Sequence, residues 1–316
     1  MTLMMKLLVF KEKLKNIYSK QSVYILPGIK FIATLISVLI INHYLGYAGA
    51  INNPVVAILV SAVCALLPIN VIVIVLSLLL VANIYYIAAE MAMVALILYL
   101  IMYIFYFRFS AKYGYILMIM PILFFFRIPY VMPLIVGVAL APSAIVSMIF
   151  GTIVFFIMKY AGGEAVTLVN GTADSGVDKA SSFISNLLGN KEMIIILVAF
   201  VLAALLVYGI KRMSIDHSAT IGIIVGGILE LIIIICATYI LEIDGISPIW
   251  IIGIMSILSI GIVYVLQFFV LAVDFTRTEY TQFEDDDYYY YVKAVPKIKV
   301  TASDVKVKHI NVKKMK

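Results

Sequence analysis

The stretch ATIGIIVGGILELIIIICATYI, residues 219–240, decides the fold class of this chain. It is apolar apart from a few small polar residues and one acid, Glu230, and it matches the roughly 20 residues that one helix needs to cross a bilayer. Two neighbouring runs, residues 193–210 and 246–273, contain no Asp, Glu, Lys or Arg and are each long enough for one span. None of these runs alternates apolar and polar residues as a membrane β-strand would. We therefore predict transmembrane helices.

The composition of the whole chain agrees with this prediction. Apolar residues make up 65% of the sequence and charged residues 13%, against roughly 45–50% and about 25% in soluble domains. So few charges, gathered at a few places, cannot cover the surface of a soluble protein. The sequence predicts an all-α, polytopic transmembrane helical bundle.

Lysine and arginine residues set the expected orientation. They gather in four places, at residues 6–30, 108–112 and 211–212 and in the tail after Asp274. Cytoplasmic loops carry an excess of these residues. We therefore expect all four places, and both termini, to lie in the cytoplasm.

The number of spans follows from this orientation. Four spans are expected between the first two cation groups, at residues 31–47, 55–68, 71–88 and 91–107. Three more are expected between residues 113 and 160, although prolines from Pro121 to Pro142 interrupt this block and break helices. The total is about ten spans, or eight if the segments around Pro68 and Pro133 are re-entrant.

The chain divides into three regions by composition. Residues 1–28 form a cytoplasmic basic amphipathic segment suited to anionic membrane lipid. Residues 29–274 form the transmembrane helical domain, with an extracytoplasmic loop at 162–190 that holds a second amphipathic helix whose apolar face includes Ile184, Leu187 and Leu188. Residues 275–316 form a cytoplasmic tail.

The tail places acidic, aromatic and basic blocks in succession, which is typical of a docking peptide for a protein partner bound through residues 280–316. The candidate docking residues are Phe283, Asp286, Tyr288, Tyr290 and Lys293. The alternation around residues 298–307 predicts strands that could add to the edge of a partner's sheet. The alternative is a loosely ordered tail whose lysines rest on anionic lipid.

The tail string FEDDDYYYYVKAVPK, residues 283–297, is similar to the C-terminal end of a family of uncharacterised polytopic membrane proteins from clostridia-type Gram-positive bacteria. The strings FKEKLK at 10–15 and IPYVMP at 128–133 resemble that family as well. The resemblance covers most of the chain and implies a bacterial plasma-membrane location. It implies no activity, because none is assigned to the family.

Glu230 is the strongest candidate for function, since an acid at the centre of a span costs at least about 2.5–3.5 kcal/mol. Gly222 and Gly226 share its helix face at four-residue spacing, and such glycines let another helix approach closely. The carboxyl group should therefore point into a helix contact or a cavity. It is either a neutral acid that hydrogen-bonds a neighbouring helix or a relay for protons or cations.

Three further residues complete the candidate intramembrane polar site: Arg127, Asn70 and Gln267. Arg127 either extends toward lipid headgroups or points inward at a proline break. Ser147 and Gly151 form a stripe of small residues that, like the two glycines beside Glu230, indicates helix packing.

The sequence offers little else for chemistry. His43, His217 and His309 lie on different segments, so no metal site is expected, and no Gly-rich phosphate-binding loop is present. We expect no cofactor and no nucleic-acid partner. The sequence contains no catalytic motif that would support an enzyme. The oligomeric state is left open.

Two functions remain. The first is a permease or channel-like subunit of unknown substrate, proton-coupled if Glu230 is a relay. The second is a non-transporting membrane scaffold of an envelope or secretion assembly, which docks a partner through its C-terminal tail.

Overall fold

The structure is a computed structural model that describes residues 3–46, 48–49, 51–169, 176–213, 215–241, 248–271 and 279–294. Its α-helices are α1 (Leu3–Leu45), α2 (Pro54–Leu66), α3 (Ile69–Tyr85), α4 (Ala89–Phe109), α5 (Gly114–Phe125), α6 (Val131–Ala139), α7 (Ala144–Val169), α8 (Gly176–Leu188), α9 (Lys191–Lys211), α10 (Ser218–Ile240) and α11 (Ile249–Leu271). A 3-10 turn, Ala111–Tyr113, separates α4 from α5, and the tail forms strands β1 (Glu279–Glu284) and β2 (Tyr289–Ala294). Contacts divide the chain into two compact units, residues 23–270 and residues 1–22 with 271–316.

The described residues include 6 helices that are long and apolar enough to cross a membrane. They cover residues 16–45, 89–109, 144–163, 179–211, 218–240 and 249–269. These helices support the predicted multi-pass membrane protein of helical class. Helices α2, α3, α5 and α6 are shorter, so the count of ten spans stays a prediction.

Helix ends meet at two opposite ends of the larger unit. At the first, which we call the Ser110 end, Ser110 after α4 shares a hydrogen bond with Ser147 near the start of α7. There the Tyr106 hydroxyl also donates to Asn70 Oδ1 at 2.7 Å, which joins the end of α4 to the start of α3. At the other, which we call the Arg127 end, α1 and α5 end and α9 begins. Helices α3, α4 and α7 thus each have one end at the Ser110 end, and α1, α5 and α9 each have one at the Arg127 end.

Local sequence signals explain where several helices begin. The Asn53 side chain accepts a hydrogen bond from the Val55 amide at 3.0 Å, and Pro54 occupies the first helical position of α2. Asn190 likewise accepts from the Met193 amide at 2.6 Å and caps α9. Asparagine caps and an initial proline are favoured because they satisfy or remove unpaired amide donors.

Helix α1 runs further toward its N-terminus than the predicted boundary at residue 28. Its backbone departs from helical geometry at Gln21, with φ −123° and ψ 21°, and the helix continues through Pro27. Residues 23–28 therefore belong to the first long apolar helix, and the kink at Gln21 precedes them.

Helices α5 and α6 are the shortest in the larger unit. They contain 12 and 9 residues, which at 1.5 Å per residue give roughly 18 and 14 Å, against a hydrocarbon core of about 30 Å. Pro129 lies in the break between them and Pro142 follows α6, whereas Pro121 and Pro133 lie inside α5 and α6 and do not interrupt them. This short helix pair leaves space at the Arg127 end.

The predicted extracytoplasmic loop at 162–190 is largely helical. Helix α7 extends to Val169, and the predicted amphipathic helix is present as α8, packed against α4 and α7. Phe183 and Leu187 are its buried residues, whereas Ile184 and Leu188 are exposed. Neighbouring helices cover the side of α8 that carries Phe183 and Leu187, and the predicted position of the apolar face at the outer surface stays a prediction.

The tail unit contains an antiparallel hairpin, so the all-α prediction does not extend to it. Phe283 pairs with Tyr290 across the strands, and their rings stack with centroids 4.9 Å apart. The strands use the acidic and tyrosine-rich blocks of the tail. The strands predicted around residues 298–307 lie outside the described residues.

Asp285 organises the hairpin turn. One oxygen of its carboxylate accepts from the amides of Asp287 and Tyr288, both at 2.9 Å, and the other accepts from the Tyr290 hydroxyl at 3.0 Å. The backbone bonds from Asp287 and Tyr288, followed by the Tyr290 bond, hold the pKa of Asp285 below its ordinary value of 3.8. The contribution of this carboxylate to the hairpin is therefore full above pH 3.8 and is lost as the pH falls through the lowered pKa.

We expect Asp285→Ala to open the turn, because an isolated two-stranded hairpin is marginal in water. In the full chain at pH 7, hydrogen exchange at the Asp287 and Tyr288 amides should accelerate to the rate of an unstructured peptide. Asp286→Ala is the matched control and should leave both rates unchanged. Equal exchange in the two variants would contradict the assigned turn.

Candidate functional site

A pocket of about 370 Å³ opens at the Arg127 end of the larger unit. It lies where α5 and α6 meet, and it also touches α1, α7, α9 and α11. Its titratable lining residues are His43, Tyr44, Arg127, Tyr130, Lys159 and Glu192. Small-molecule sites have volumes of roughly 300–1,000 Å³. This space, which we call the Arg127 pocket, is thus large enough for a small solute.

Arg127 ends helix α5 in a backbone conformation that usually belongs to glycine. Its φ is 61°, in the left-handed region that costs an ordinary residue roughly 1–2 kcal/mol. Its amide donates to the Phe124 carbonyl at 3.0 Å, and the Ile128 amide donates to the Leu123 carbonyl at 2.9 Å. These two bonds form a Schellman motif, a common helix C-terminus in which glycine takes the left-handed position.

Lys159 and Glu192 form an ion pair on another wall of the pocket. Their Nζ and Oε2 atoms are 2.7 Å apart, and the side chains are 36% and 14% exposed. Glu192 belongs to the first turn of α9, where the helix dipole favours a carboxylate. Among the described residues, Arg127 has no such partner, so the pocket keeps one uncompensated cation.

Aromatic rings form the apolar walls. Phe124 and Phe155 stack with centroids 4.4 Å apart and nearly parallel planes. Tyr44 meets Phe155 edge to face at 5.8 Å, and His43 meets Phe125 in the same way at 5.5 Å. The pocket therefore combines a charged group with flat apolar surfaces.

Glu230 is fully buried, with 0% of its surface exposed. Neither carboxylate oxygen has a hydrogen-bond partner among the described residues. An ionised group without a partner is very costly in apolar surroundings, so this packing accommodates the neutral, protonated acid. The carboxyl group lies in the interior, as the glycine spacing predicts, but without the hydrogen bond that one of the two predicted roles requires.

Tyr130 relates Glu230 to the pocket. Its side chain lines the pocket and packs against a buried cluster that contains Ile234, which lies one helical turn after Glu230 on α10. Its ring also meets Phe200 of α9 edge to face at 6.3 Å. Tyr130 thus occupies the wall of the pocket on the side of the buried acid.

The other two residues of the candidate intramembrane polar site lie elsewhere. Asn70 accepts a hydrogen bond from the Tyr106 hydroxyl at the Ser110 end. Gln267 of α11 donates through Nε2 to the Thr220 hydroxyl of α10 at 3.0 Å. Of the four residues, only Arg127 lines the pocket, Glu230 is buried within the bundle, and Asn70 and Gln267 join helices.

The small residues named as packing positions all face neighbouring helices. A Cβ atom added to Gly226 would overlap the Val207 side chain of α9, and one added to Gly222 would lie 3.3 Å from the Val207 carbonyl oxygen. A Cβ atom at Gly151 would lie 2.6 Å from Met120 Cβ of α5. Helices α9 and α10 approach closely along the face that carries Glu230.

The sequence analysis did not name Tyr130, Lys159 or Glu192 as site residues. One signal was available for the ion pair: Lys159 and Glu192 are opposite charges at the two sides of the segment 162–190. Two opposite charges predict an ion pair but not a pocket beside it. The pocket is present because α5 ends early.

Among the described residues, no group of three or more His, Cys, Asp or Glu side chains could hold a metal ion. Comparison with known proteins found no matching family model, no matching curated protein and no matching solved structure. The functional conclusion therefore depends on the geometry of the site.

Proposed function

We propose that this chain is an integral plasma-membrane protein that acts as a permease or channel-like subunit, with Glu230 as its proton-exchanging group. One observation carries the proposal: a fully buried acid with no hydrogen-bond partner among the described residues lies one helical turn from Ile234, whose cluster packs against the pocket residue Tyr130. Structural acids in membrane helices pair with a neighbour. An unpaired acid costs stability, and a function in proton transfer accounts for that cost.

The direction of the helices supports ten passes with both termini in the cytoplasm. Helices α1–α7 and α9–α11 number ten and alternate between the two ends. Lys30 donates to the Leu67 carbonyl at 2.8 Å, and Lys211 accepts from the Ser218 hydroxyl through its carbonyl at 3.2 Å, where α10 begins. With Arg108 and Lys112, these cations support a cytoplasmic location for the Ser110 end. The Arg127 pocket then opens to the outside.

The same arrangement suggests how the acid works. Glu230 is neutral while Tyr130 and the packed helices separate it from the pocket. Helix α6, which carries Tyr130 at its start, has 9 residues and non-helical segments on both sides, so it can shift without breaking a long helix. A shift that admits water from the pocket to Glu230 lets the acid release its proton on that side. Uptake from the other side uses a second opening, toward the Ser110 end, that exposes the carboxylate to the cytoplasm while the pocket side is closed.

Proton flux through the purified full chain in liposomes tests this proposal. Wild-type protein should equilibrate an imposed pH difference faster than protein-free liposomes, with or without an added solute. Liposomes that remain as tight as the protein-free control under both conditions would contradict it.

The hairpin favours one alternative, a membrane scaffold that docks a protein partner through its tail. Phe283, Tyr289 and Tyr291 are 55%, 68% and 79% exposed on the hairpin, and exposed aromatic residues are common in protein interfaces. In this role residues 280–316 bind the partner and the membrane helices serve as the anchor.

Deleting residues 280–316 separates the two functions. Insertion and thermal stability of the membrane domain should be unchanged, because no apolar helix is touched. A transport role leaves proton flux intact in the deletion variant. Normal proton flux in the deletion variant would favour the permease. The scaffold would be favoured if the deletion removed a defined co-purifying protein and neither the full chain nor the variant conducted protons.

A further inference from the structure

We propose that the Arg127 pocket binds the anionic group of a ligand that also has an apolar or aromatic body, with Arg127 as the anchor. This inference rests on the proposed function, because it names the class of solute that a permease with this site would take. The shared chemistry is a carboxylate or phosphate group attached to apolar surface.

The charge of the pocket favours an anion. Lys159 is neutralised by Glu192 at 2.7 Å, whereas the Arg127 guanidinium has no ion-pair partner among the described residues. Arginine presents a planar fork of donors that matches carboxylate and phosphate oxygens. Arg127 is an exposed residue, so its guanidinium is accessible to the negative group of a ligand that enters the pocket.

The backbone at Arg127 gives an independent reason to assign a function to this side chain. The residue occupies the left-handed position of a Schellman motif, which glycine fills at lower cost. A helix that only had to stop at this point would be more stable with glycine. Strained backbone conformations concentrate at functional sites. An arginine at this position therefore indicates that its guanidinium binds a ligand.

The walls determine the rest of the ligand. The stacked rings of Phe124 and Phe155 and the edge of Tyr44 surround the space beside Arg127. The aromatic side chains give part of the lining an apolar character, and an apolar surface binds a ring or a short chain better than it binds a fully hydrated ion such as inorganic phosphate. The ligand class is thus an organic anion with a modest apolar body.

Two sources could supply such an anion, a free solute or the headgroup of an anionic lipid. The test uses radiolabelled benzoate, whose single carboxylate is attached to a ring, with the full chain in nanodiscs of neutral phosphatidylcholine. A second set of nanodiscs contains phosphatidylglycerol. Unlabelled benzyl alcohol and inorganic phosphate serve as competitors that have only the ring or only the charge.

We expect benzoate to bind saturably in neutral nanodiscs, and neither competitor to displace it at equal concentration. Arg127→Gly should weaken binding by about tenfold or more, because it removes a charge-assisted hydrogen bond. The same substitution should keep or raise the melting temperature, since it relieves the left-handed strain. Arg127→Lys should restore part of the affinity, and Arg108→Ala at the Ser110 end should change nothing.

Each further outcome has a definite meaning. Benzoate binding that disappears in phosphatidylglycerol nanodiscs, and returns in neutral ones, assigns the anionic group to a lipid headgroup and supports the site. Binding that survives Arg127→Gly, or that benzyl alcohol displaces as well as benzoate does, overturns the inference. Normal proton flux without benzoate binding would also overturn the inference, but it would leave the proposed function standing. Benzoate binding that depends on Arg127, without proton flux, would support the inference and contradict the proposed function.

Discussion

Glu230→Gln is expected to abolish proton flux through the full chain while leaving the folded protein intact. Glutamine keeps the shape of the neutral acid and cannot release a proton in the physiological range. Because the carboxyl group has no hydrogen-bond partner among the described residues, the exchange breaks no bond there. Thermal stability should therefore change by no more than about 1 kcal/mol.

The measurement uses liposomes that contain a pH-sensitive dye and carry an imposed pH difference. Wild-type protein should collapse this difference, and the Gln variant should match protein-free liposomes. Glu90→Gln is the matched control, since Glu90 is an acid in the first turn of α4 and is partly exposed. Wild-type flux in Glu230→Gln would end the proton-exchange proposal and favour the scaffold.

A second variant at the same position separates function from packing. Glu230→Leu removes a buried polar group that has no partner, and such a group costs about 1–3 kcal/mol. We expect this variant to be more stable than wild type and inactive in proton flux. A large loss of stability would instead reveal a bond to Glu230 that the described residues do not contain.

Gly226→Leu is expected to cause the largest loss of stability among glycine substitutions on α10. A Cβ atom at this position overlaps the Val207 side chain and lies 3.3 Å from Leu134 Cδ2. Overpacking of this kind costs typically about 1–3 kcal/mol, and it separates α9 from α10 on the face that carries Glu230. Proton flux should fall together with the amount of folded protein.

Gly261→Leu on α11 is the matched control, because a Cβ atom there would meet nothing within 4 Å. Both substitutions replace a glycine inside a helix with leucine, so the gain in helix propensity is the same. The difference between their melting temperatures therefore reports the contact at Gly226. Val207→Ala should reduce the cost of Gly226→Leu, since it deletes the methyl groups in the way. Equal melting temperatures for the two leucine variants would contradict the close approach of α9 and α10.

Much of the larger unit could be predicted from local sequence, because lipid imposes long apolar helices and short-range signals end them. The burial of Glu230 followed from the spacing of Gly222 and Gly226 on its helix face. The hairpin was missed because its strands carry acids and tyrosines on adjacent positions, and their pairing depends on the Asp285 turn rather than on alternation.

The pocket could not be predicted, because it depends on residues far apart in sequence. Lys159 and Glu192 are 33 residues apart, and Tyr130 became part of the site only through the early end of α5. From the sequence, the Arg127 side chain could extend toward the headgroups or toward the interior. The choice depends on the backbone conformation of Arg127 itself, which is left-handed. Only a three-dimensional structure supplies that direction.

In the proposed orientation, the short helices α5 and α6 also shape the electric field across the membrane. A wet pocket brings the potential of the outside solution down to its floor, so the voltage drop is compressed into the distance between that floor and the Ser110 end. One elementary charge that crosses 100 mV exchanges about 2.3 kcal/mol with the field. A proton that reaches or leaves Glu230 therefore moves through a concentrated field, and voltage as well as the pH difference sets its direction.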